Sequence, residues 1–144
     1  MAEDGFDNAK RIMIRKSGTI QTYRDLEVYR LAFTLQQAIF KMTKTFPKEE
    51  NYSLTDQIRR SSRSVGANLS EAWAKRRYPA SFLSKLTDSD GEAQETGHWL
   101  DTALSCDYIS NQLHLELCEQ LRQIGAMLGK MISNHESWCK PSNT

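Results

Sequence analysis

Apolar residues recur at intervals of three and four along most of this 144-residue chain, a spacing typical of amphipathic α-helices. Four such segments are predicted: one near residues 23–44, one that opens at Ser53 within the stretch 46–78, one over residues 79–105 and one over about residues 111–136. No segment has the two-residue period of a half-buried strand. Because the connections are short, the sequence predicts an all-α fold, an antiparallel up-down-up-down four-helix bundle.

Three helix starts carry recognisable capping signals. Thr22 is followed three positions later by Asp25, and Ser53 by Asp56. Each pair is predicted to form a capping box, in which the two side chains bond each other's backbone N–H groups. Pro79 suits the first position of a helix, because the N–H that it lacks would have no helical partner there.

The chain has the length and composition of one ordinary globular domain. It is 39% hydrophobic and 26% charged, which argues against disorder and allows a single buried core. The bundle is expected to occupy residues 22–138, after a flexible N-terminal arm at residues 1–21. Residues 139–144 are expected to form a frayed C-terminal tail.

Cysteine usage and hydropathy indicate the compartment. Cys106, Cys118 and Cys139 are odd in number and lack C-x-x-C spacing, so neither a disulfide framework nor a zinc knuckle is predicted. The N-terminus lacks the apolar segment of a signal peptide, and no apolar run approaches the roughly 18 residues of a membrane span. A cytoplasmic protein with reduced thiols and no membrane partner is expected.

The net charge of +1 conceals a separation of charge along the chain. Residues 54–78 carry six basic and two acidic side chains, a net charge of +4, whereas residues 79–107 carry one lysine and six carboxylates, a net charge of −5. The basic side chains are Arg59, Arg60, Arg63, Lys75, Arg76 and Arg77. They are candidates for binding the phosphates of a nucleic acid. The alternative is that the arginines of the second helix pair with carboxylates of the third.

The acidic side chains of the third helix do not complete a metal site. Those near its centre are Asp88, Asp90, Glu92 and Glu95. Their D-S-D-G-E sequence is too short for an EF-hand loop and lies in a helical register. Glu95 and His98 form an E-x-x-H pair of the type that di-iron bundles use twice, but the chain contains no second E-x-x-H. No metal ligand and no cofactor are therefore predicted.

Sequence signatures of enzymes are also absent. No G-x-S-x-G, P-loop or dinucleotide-binding glycine pattern occurs. Cys106 and Cys118 fall at the end of the third helix and within the fourth, where cysteine usually packs as a small hydrophobe. His135 and Cys139 share an i,i+4 spacing, but they lie where the chain is expected to fray. No catalytic residue is predicted, and the protein is not expected to be an enzyme.

The first helix carries more apolar residues than one core-facing stripe needs. Val28, Leu31, Phe33 and Phe40 widen its apolar face. Such an excess is typical either of a subunit interface or of a wider core. The pattern by itself leaves both interpretations open.

Three stretches of the sequence resemble a known family. They cover roughly residues 22–110 and read YRDLEVYRLAF, KTFPKEENYSLTDQIRRSSRSVGANLSEAWAKRRY and FLSKLTDSDGEAQETGHWLDTALSCDYI. They resemble small bacterial four-helix bundle proteins named for intervening sequences in large-subunit ribosomal RNA genes. The resemblance implies an antiparallel four-helix bundle, a homopentameric ring and no established catalytic residues. In fold, such proteins are similar to the accessory protein of diversity-generating retroelements, a basic pentamer that works with a reverse transcriptase and its RNA.

These observations favour a non-catalytic, oligomeric module that binds nucleic acid, RNA above all, or a nucleic-acid enzyme such as a reverse transcriptase. Lys75, Arg76 and Arg77 are expected to lead the phosphate contacts, with help from the arginines of the second helix. The expected partners are copies of the chain itself, as a homopentamer, and a structured RNA. The alternative is a protein-interaction scaffold whose arginines are occupied by carboxylates. The exposure of Arg59, Arg63 and Arg76 is expected to distinguish the two.

Overall fold

Four α-helices account for most of residues 19–139, the part of the chain that this computed structural model describes. They are α1 (Glu27–Thr43), α2 (Leu54–Ala74), α3 (Pro79–Ser105) and α4 (Asn111–Ser133). Single turns of 3-10 helix precede α1, precede α2 and follow α4, at Tyr23–Asp25, Lys48–Glu50 and His135–Trp138. The described residues contain no strand, and the all-α prediction is confirmed.

The helices form an antiparallel up-down-up-down bundle, as predicted. Each helix packs against its neighbours in sequence, and α1 also packs against α4, which closes the ring of four. The connections at residues 44–53, 75–78 and 106–110 are short enough to reverse the chain between adjacent helices. The most extensive contact joins α2 and α3, the two helices of opposite charge.

The core lies along the bundle axis and is filled mainly by aliphatic side chains, with Phe46 and Phe82 among them. Its largest fully buried apolar side chains are Phe82, Leu35, Ile39, Ile58, Leu69, Leu86, Leu100, Leu117, Ile124, Leu128 and Val65. Small polar residues let α2 and α3 approach closely. The Ser89 hydroxyl donates to the backbone carbonyl of Val65 at 2.8 Å, and the Thr96 and Ser61 hydroxyls lie 2.9 Å apart. These buried hydroxyls are therefore hydrogen-bonded, as polar groups in a core must be.

Helix α1 begins later than the sequence predicts. The Thr22 and Asp25 capping box does form: Thr22 Oγ1 accepts from the N–H of Arg24 at 3.2 Å, and Asp25 Oδ2 accepts from the N–H of Thr22 at 3.0 Å. It closes a 3-10 turn rather than an α-helix, because the next residue, Leu26, is extended and only 3% exposed. The burial of Leu26 in the core interrupts the helical backbone, and α1 starts at Glu27.

The capping box predicted for Ser53 and Asp56 is wrong. The Ser53 side chain does not cap α2; its hydroxyl donates to Glu50 Oε1 at 2.6 Å. The same carboxylate oxygen accepts from the N–H of Leu54 at 3.3 Å, and the Tyr108 hydroxyl donates to Glu50 Oε2 at 2.8 Å. Glu50, from the preceding 3-10 turn, thus ties the start of α2 to the connection between α3 and α4.

The Glu50 carboxylate makes stability depend on pH. Hydrogen bonds from the Ser53 hydroxyl, the Tyr108 hydroxyl and the Leu54 N–H hold the pKa of Glu50 below its usual value. A lowered folded-state pKa adds stability above the pKa of the unfolded carboxyl, and that stability is lost as the pH falls through the folded-state pKa. We therefore expect Glu50→Gln to lower the thermal midpoint at neutral pH, and to differ less from wild type at about pH 3.

Thermal unfolding followed by circular dichroism at both pH values measures this difference. Glu49→Gln is the matched control, because Glu49 is an exposed carboxylate on the same turn. A Glu50→Gln midpoint equal to wild type at neutral pH would contradict the role given to this carboxylate.

The predicted terminal segments fall mainly outside the described residues. The arm, at residues 1–21, overlaps residues 1–18, and the tail, at residues 139–144, overlaps residues 140–144; neither stretch is described. The domain boundaries therefore stay predictions. Within residues 19–139, no helix has an apolar stretch of the length that crossing a membrane requires.

Candidate nucleic-acid interface

The six basic residues singled out in the sequence do not share one surface. On α2, residue 60 follows residue 59 by about 100° around the helix axis, so Arg60 faces α3 while Arg59 and Arg63 face α1. Lys75 and Arg77 lie beyond the end of α2. The rise of a helix puts Lys75 about 18 Å further along the axis than Arg63. Helical geometry thus divides the set into three parts.

Arg59 and Arg63 converge with a lysine on one aromatic ring. The ring centroid of Phe40, on α1, lies 4.8 Å from Lys44 Nζ, 4.8 Å from Arg59 Cζ and 5.5 Å from Arg63 Cζ. The Nε–H of Arg59 also donates to Thr43 Oγ1 at 2.7 Å. We call Phe40, Lys44, Arg59 and Arg63 the Phe40 cluster. Stacking and a neutral hydroxyl, rather than ion pairs, hold its guanidinium groups in place.

The charge of the Phe40 cluster is not balanced by the surrounding side chains. Within residues 19–139, no carboxylate oxygen lies within 4.0 Å of its three cationic groups. Arg59 and Arg63, together with Arg60, line an open groove of about 440 Å³ on the outer face of α2, in which Asp56 is the acidic residue. Like charges held this close repel one another, so an anion in the groove is electrostatically favoured.

Arg60, by contrast, is paired with the acidic helix. Its guanidinium contacts the carboxylates of Glu92, at 3.5 Å, and of Glu95 on α3. The indole N–H of Trp99 donates to the same Glu95 oxygen at 3.1 Å. At 46% side-chain exposure, such a pair contributes under about 1 kcal/mol and serves the register of α2 against α3. Arg60 therefore fits the alternative raised by the sequence, in which an arginine of the second helix pairs with carboxylates of the third.

The three basic residues after α2 differ in exposure and in their contacts with the fold. The Arg76 guanidinium stacks on Trp73 with its Cζ 3.5 Å from the ring centroid, and its Nε–H donates to the Trp73 carbonyl at 3.1 Å. Burial there lowers the pKa of Arg76 from its ordinary value. Lys75 and Arg77 are exposed. The predicted Lys75–Arg77 surface thus offers two exposed cations, and a third, Arg76, that is stacked on Trp73.

Exposure separates the two functional interpretations less cleanly than the sequence suggests. Arg63 is exposed, whereas Arg59 and Arg76 are half-buried. Both half-buried arginines nevertheless stack on aromatic rings, and among residues 19–139 no carboxylate forms an ion pair with either. Their partial burial therefore comes from stacking and not from ion pairing.

The apolar excess on α1 is accounted for largely within the subunit. Val28 belongs to the core, and Leu31 and Phe33 are half-buried. Phe40 lies beneath the three cations of its cluster. Most of the additional apolar residues of α1 therefore pack within the subunit, as expected for a wider core.

The E-x-x-H pair is not brought together as a metal site. Glu95 pairs with Arg60, while His98 is exposed and packs its ring 4.7 Å from that of Trp99. The neighbouring carboxylate of Asp88 lies 3.9 Å from Lys85. The acidic residues of α3 thus mainly complement basic side chains of α2 and α3.

An exposed aromatic residue beside the groove was not singled out in the sequence. Tyr52 is 97% exposed and directly follows Asn51, which lines the groove. A solvent-facing aromatic ring offers a surface on which an unpaired base can stack. Its only sequence signal is a tyrosine between a 3-10 turn and a helix start.

Comparisons with known proteins agree with the fold. The chain is similar to a crystal structure of a protein of unknown function, from the S23 ribosomal protein family of Bacteroides thetaiotaomicron. The two are 27% identical with a TM-score of 0.67, over 74% of this chain and 95% of the other. No curated protein matches the chain. The 23S rRNA-intervening sequence protein family matches residues 24–130, which include almost all of the four helices. The chain therefore belongs to the 23S rRNA-intervening sequence protein family.

Proposed function

We propose that this protein is a non-catalytic module that binds RNA through its phosphates, with the Phe40 cluster as the principal contact. One observation carries the proposal: three cations converge on the Phe40 ring, and no described carboxylate oxygen lies within 4.0 Å of them. The leading contact is thus Arg59 and Arg63, rather than the residues after α2.

The Phe40 cluster is prepared for phosphate binding before a ligand arrives. The ring and the Thr43 hydroxyl already hold Arg59, so less side-chain freedom is lost on binding than for a free arginine. A phosphate would relieve the repulsion among the three cations and release counterions from the RNA. Contacts of this kind position a nucleic acid without reading its bases.

Two further features extend the surface along the RNA. Tyr52 would stack an unpaired base beside the groove. Lys75 and Arg77, about 18 Å further along the α2 axis, would reach phosphates several nucleotides away. An RNA with an unpaired segment next to a helix would engage both.

The names of the related proteins favour RNA over DNA. The matched family is named for intervening sequences of 23S rRNA, and the related crystal structure for a ribosomal protein family. The proposal extends that association to this chain, which would then act in the cytoplasm, and no catalytic role forms part of it. A reverse-transcriptase-type protein is a further proposed partner, on the resemblance in fold alone.

We also propose that the protein acts as a homo-oligomer, a homopentamer by the family resemblance. A cyclic assembly would repeat the Phe40 cluster around its axis, and the summed positive potential would attract RNA more strongly than one cluster does. Multi-angle light scattering gives the mass of the assembly. A monomer at the concentrations used for binding would contradict this part of the proposal.

RNA binding by the purified protein across a salt series tests the proposed function. We expect fluorescence anisotropy to show binding of a structured RNA at about 50 mM salt, with affinity that falls linearly against the logarithm of salt concentration up to about 200 mM. A duplex DNA of equal length is the comparison ligand. Absence of RNA binding at the lowest salt, where phosphate contacts are strongest, would contradict the proposal.

A protein-interaction scaffold is the second candidate. Arg60 supports it, because its charge is already occupied by Glu92 and Glu95. Leu115, 64% exposed on α4, adds an apolar side chain that a protein partner would cover. The scaffold becomes the better account when the salt series shows no RNA binding.

A further inference from the structure

A second cluster of reactive side chains lies between α3 and α4, and the proposed RNA contact does not involve it. Asp101, on α3, lies with its Oδ1 2.9 Å from Nε2 of His114, in the first turn of α4. The Cys118 sulfur lies 3.5 Å from the same Nε2. One ligand atom from each residue lies within 4.8 Å of the other two.

We propose that Asp101, His114 and Cys118 bind a zinc ion and leave one coordination position open. Tetrahedral zinc, with bonds of about 2.0–2.1 Å to nitrogen and about 2.3 Å to sulfur, places these two atoms about 3.5 Å apart. The separation of Cys118 Sγ from His114 Nε2 has this value, but Sγ also lies 3.9 Å from Nδ1, beside the ring. To share an ion, the Cys118 side chain or the His114 ring must rotate, and the exposed Asp101 carboxylate must retreat slightly.

In the metal-free protein, the three side chains are held together by one hydrogen bond. A protonated His114 Nε2 donates to Asp101 Oδ1 at 2.9 Å, while the Cys118 sulfur rests beside the imidazole ring. A cation between the three ligand atoms would replace that single hydrogen bond by three metal–ligand bonds.

The chemistry of the donor set favours zinc over calcium or magnesium. Imidazole and thiolate are ligands that zinc prefers, whereas calcium and magnesium take oxygen ligands. His114 and Cys118 are four residues apart, so they lie on one face of α4. The site opens into a groove of about 760 Å³ that is also lined by His98 and Arg122. That groove gives the ion a route in and leaves its fourth position accessible to water or another ligand.

Binding is a simple exchange of a proton for the metal. Burial, with a contribution from Asp101, raises the pKa of the Cys118 thiol, so the sulfur is protonated in the metal-free protein at neutral pH. When zinc binds, the S–H bond breaks, bonds form from zinc to sulfur, nitrogen and oxygen, and the thiol proton passes to the buffer. The His114 proton leaves Nε2, where it is hydrogen-bonded to Asp101, and a proton is taken up from solvent on Nδ1, so that the Nε2 lone pair binds the ion; no electron is transferred.

The chain contains a natural control for this site. His135 and Cys139 have the same i,i+4 spacing, but Cys139 Sγ lies 3.5 Å from the His135 backbone carbonyl, and His135 Nδ1 lies 3.1 Å from that of Ile132. In the described part of the chain, Asp101, His114 and Cys118 are the group of three ligands close enough to share an ion. Spacing alone therefore does not create the site.

Cobalt titration of the reduced, tag-free protein tests the proposal. Cobalt(II) takes the place of zinc and reports a thiolate ligand as strong near-ultraviolet absorption. We expect one cobalt per chain, displaced by zinc, with the absorption lost in Cys118→Ser and retained in Cys139→Ser. Calorimetry should show zinc affinity lowered at least about tenfold in His114→Ala and in Asp101→Asn.

Circular dichroism verifies that each variant is folded. Asp101→Asn keeps the proposal testable if the α4 variants unfold, because Asp101 is an exposed side chain. Absence of thiolate absorption in wild type, or equal absorption in Cys118→Ser, would overturn the proposal. So would a zinc affinity that none of the three substitutions changes.

Discussion

Replacing Arg59 and Arg63 together by glutamate should weaken RNA binding by about 100-fold or more at low salt. The variant removes two cations from the Phe40 cluster and sets two carboxylates against the phosphates. Like charges brought together at an interface cost several kcal/mol, and a loss of about 2.7 kcal/mol already corresponds to about 100-fold. Fluorescence anisotropy with the RNA used for wild type measures the change.

A control with the same change in net charge separates the cluster from the overall field. Arg30 and Arg122 are exposed and pair with carboxylates of their own helices, α1 and α4. Arg30→Glu with Arg122→Glu should lower RNA affinity far less than the cluster variant. An equal loss in both double variants would show that net charge, and not the Phe40 cluster, governs binding.

Phe82→Ala should lower the free energy of unfolding by about 3–5 kcal/mol. Phe82 is 0% exposed and is among the largest side chains of the core. Its loss removes buried apolar area and leaves a cavity that the surrounding helices fill only in part. Because domains of this size are stable by about 5–15 kcal/mol, the variant would lose a large share of its stability.

Urea denaturation measures that loss, and Leu115→Ala is its control. Leu115 is exposed on α4, so its truncation should change the free energy of unfolding by less than about 0.5 kcal/mol. A Phe82→Ala midpoint close to that of wild type would contradict the bundle core described above.

The bundle could be predicted from the sequence because its signals are local. Apolar spacing determines which face of each helix is buried, and Pro79 sets the start of α3 where the sequence predicts it. The start of α2 after Ser53 was also predicted, but the Ser53–Asp56 capping box was wrong because the capping side chain comes from outside the helix. Glu50 accepts from both Ser53 and Leu54, an arrangement that depends on the turn before α2.

The candidate site could be predicted less well, because its residues are grouped by contacts between different helices. The basic residues were evident in the sequence, but their grouping was not, since Arg60 meets Glu95 on α3 while Arg59 meets Phe40 on α1. Phe40 itself was assigned to an apolar excess. The same holds for the proposed metal site: the spacing of His114 and Cys118 is visible in the sequence, but the approach of Asp101 requires the α3–α4 hairpin.

The most direct test of the account is the salt dependence of RNA binding in three proteins measured side by side. They are wild type, Arg59→Gln with Arg63→Gln, and Lys75→Gln with Arg77→Gln. The slope of log affinity against log salt counts phosphate contacts, and each lost contact lowers it by about 1. The account predicts a clearly smaller slope for the Arg59 and Arg63 variant, and a smaller reduction for the Lys75 and Arg77 variant. A wild-type slope near zero, or one that the loss of Arg59 and Arg63 leaves unchanged, would contradict it.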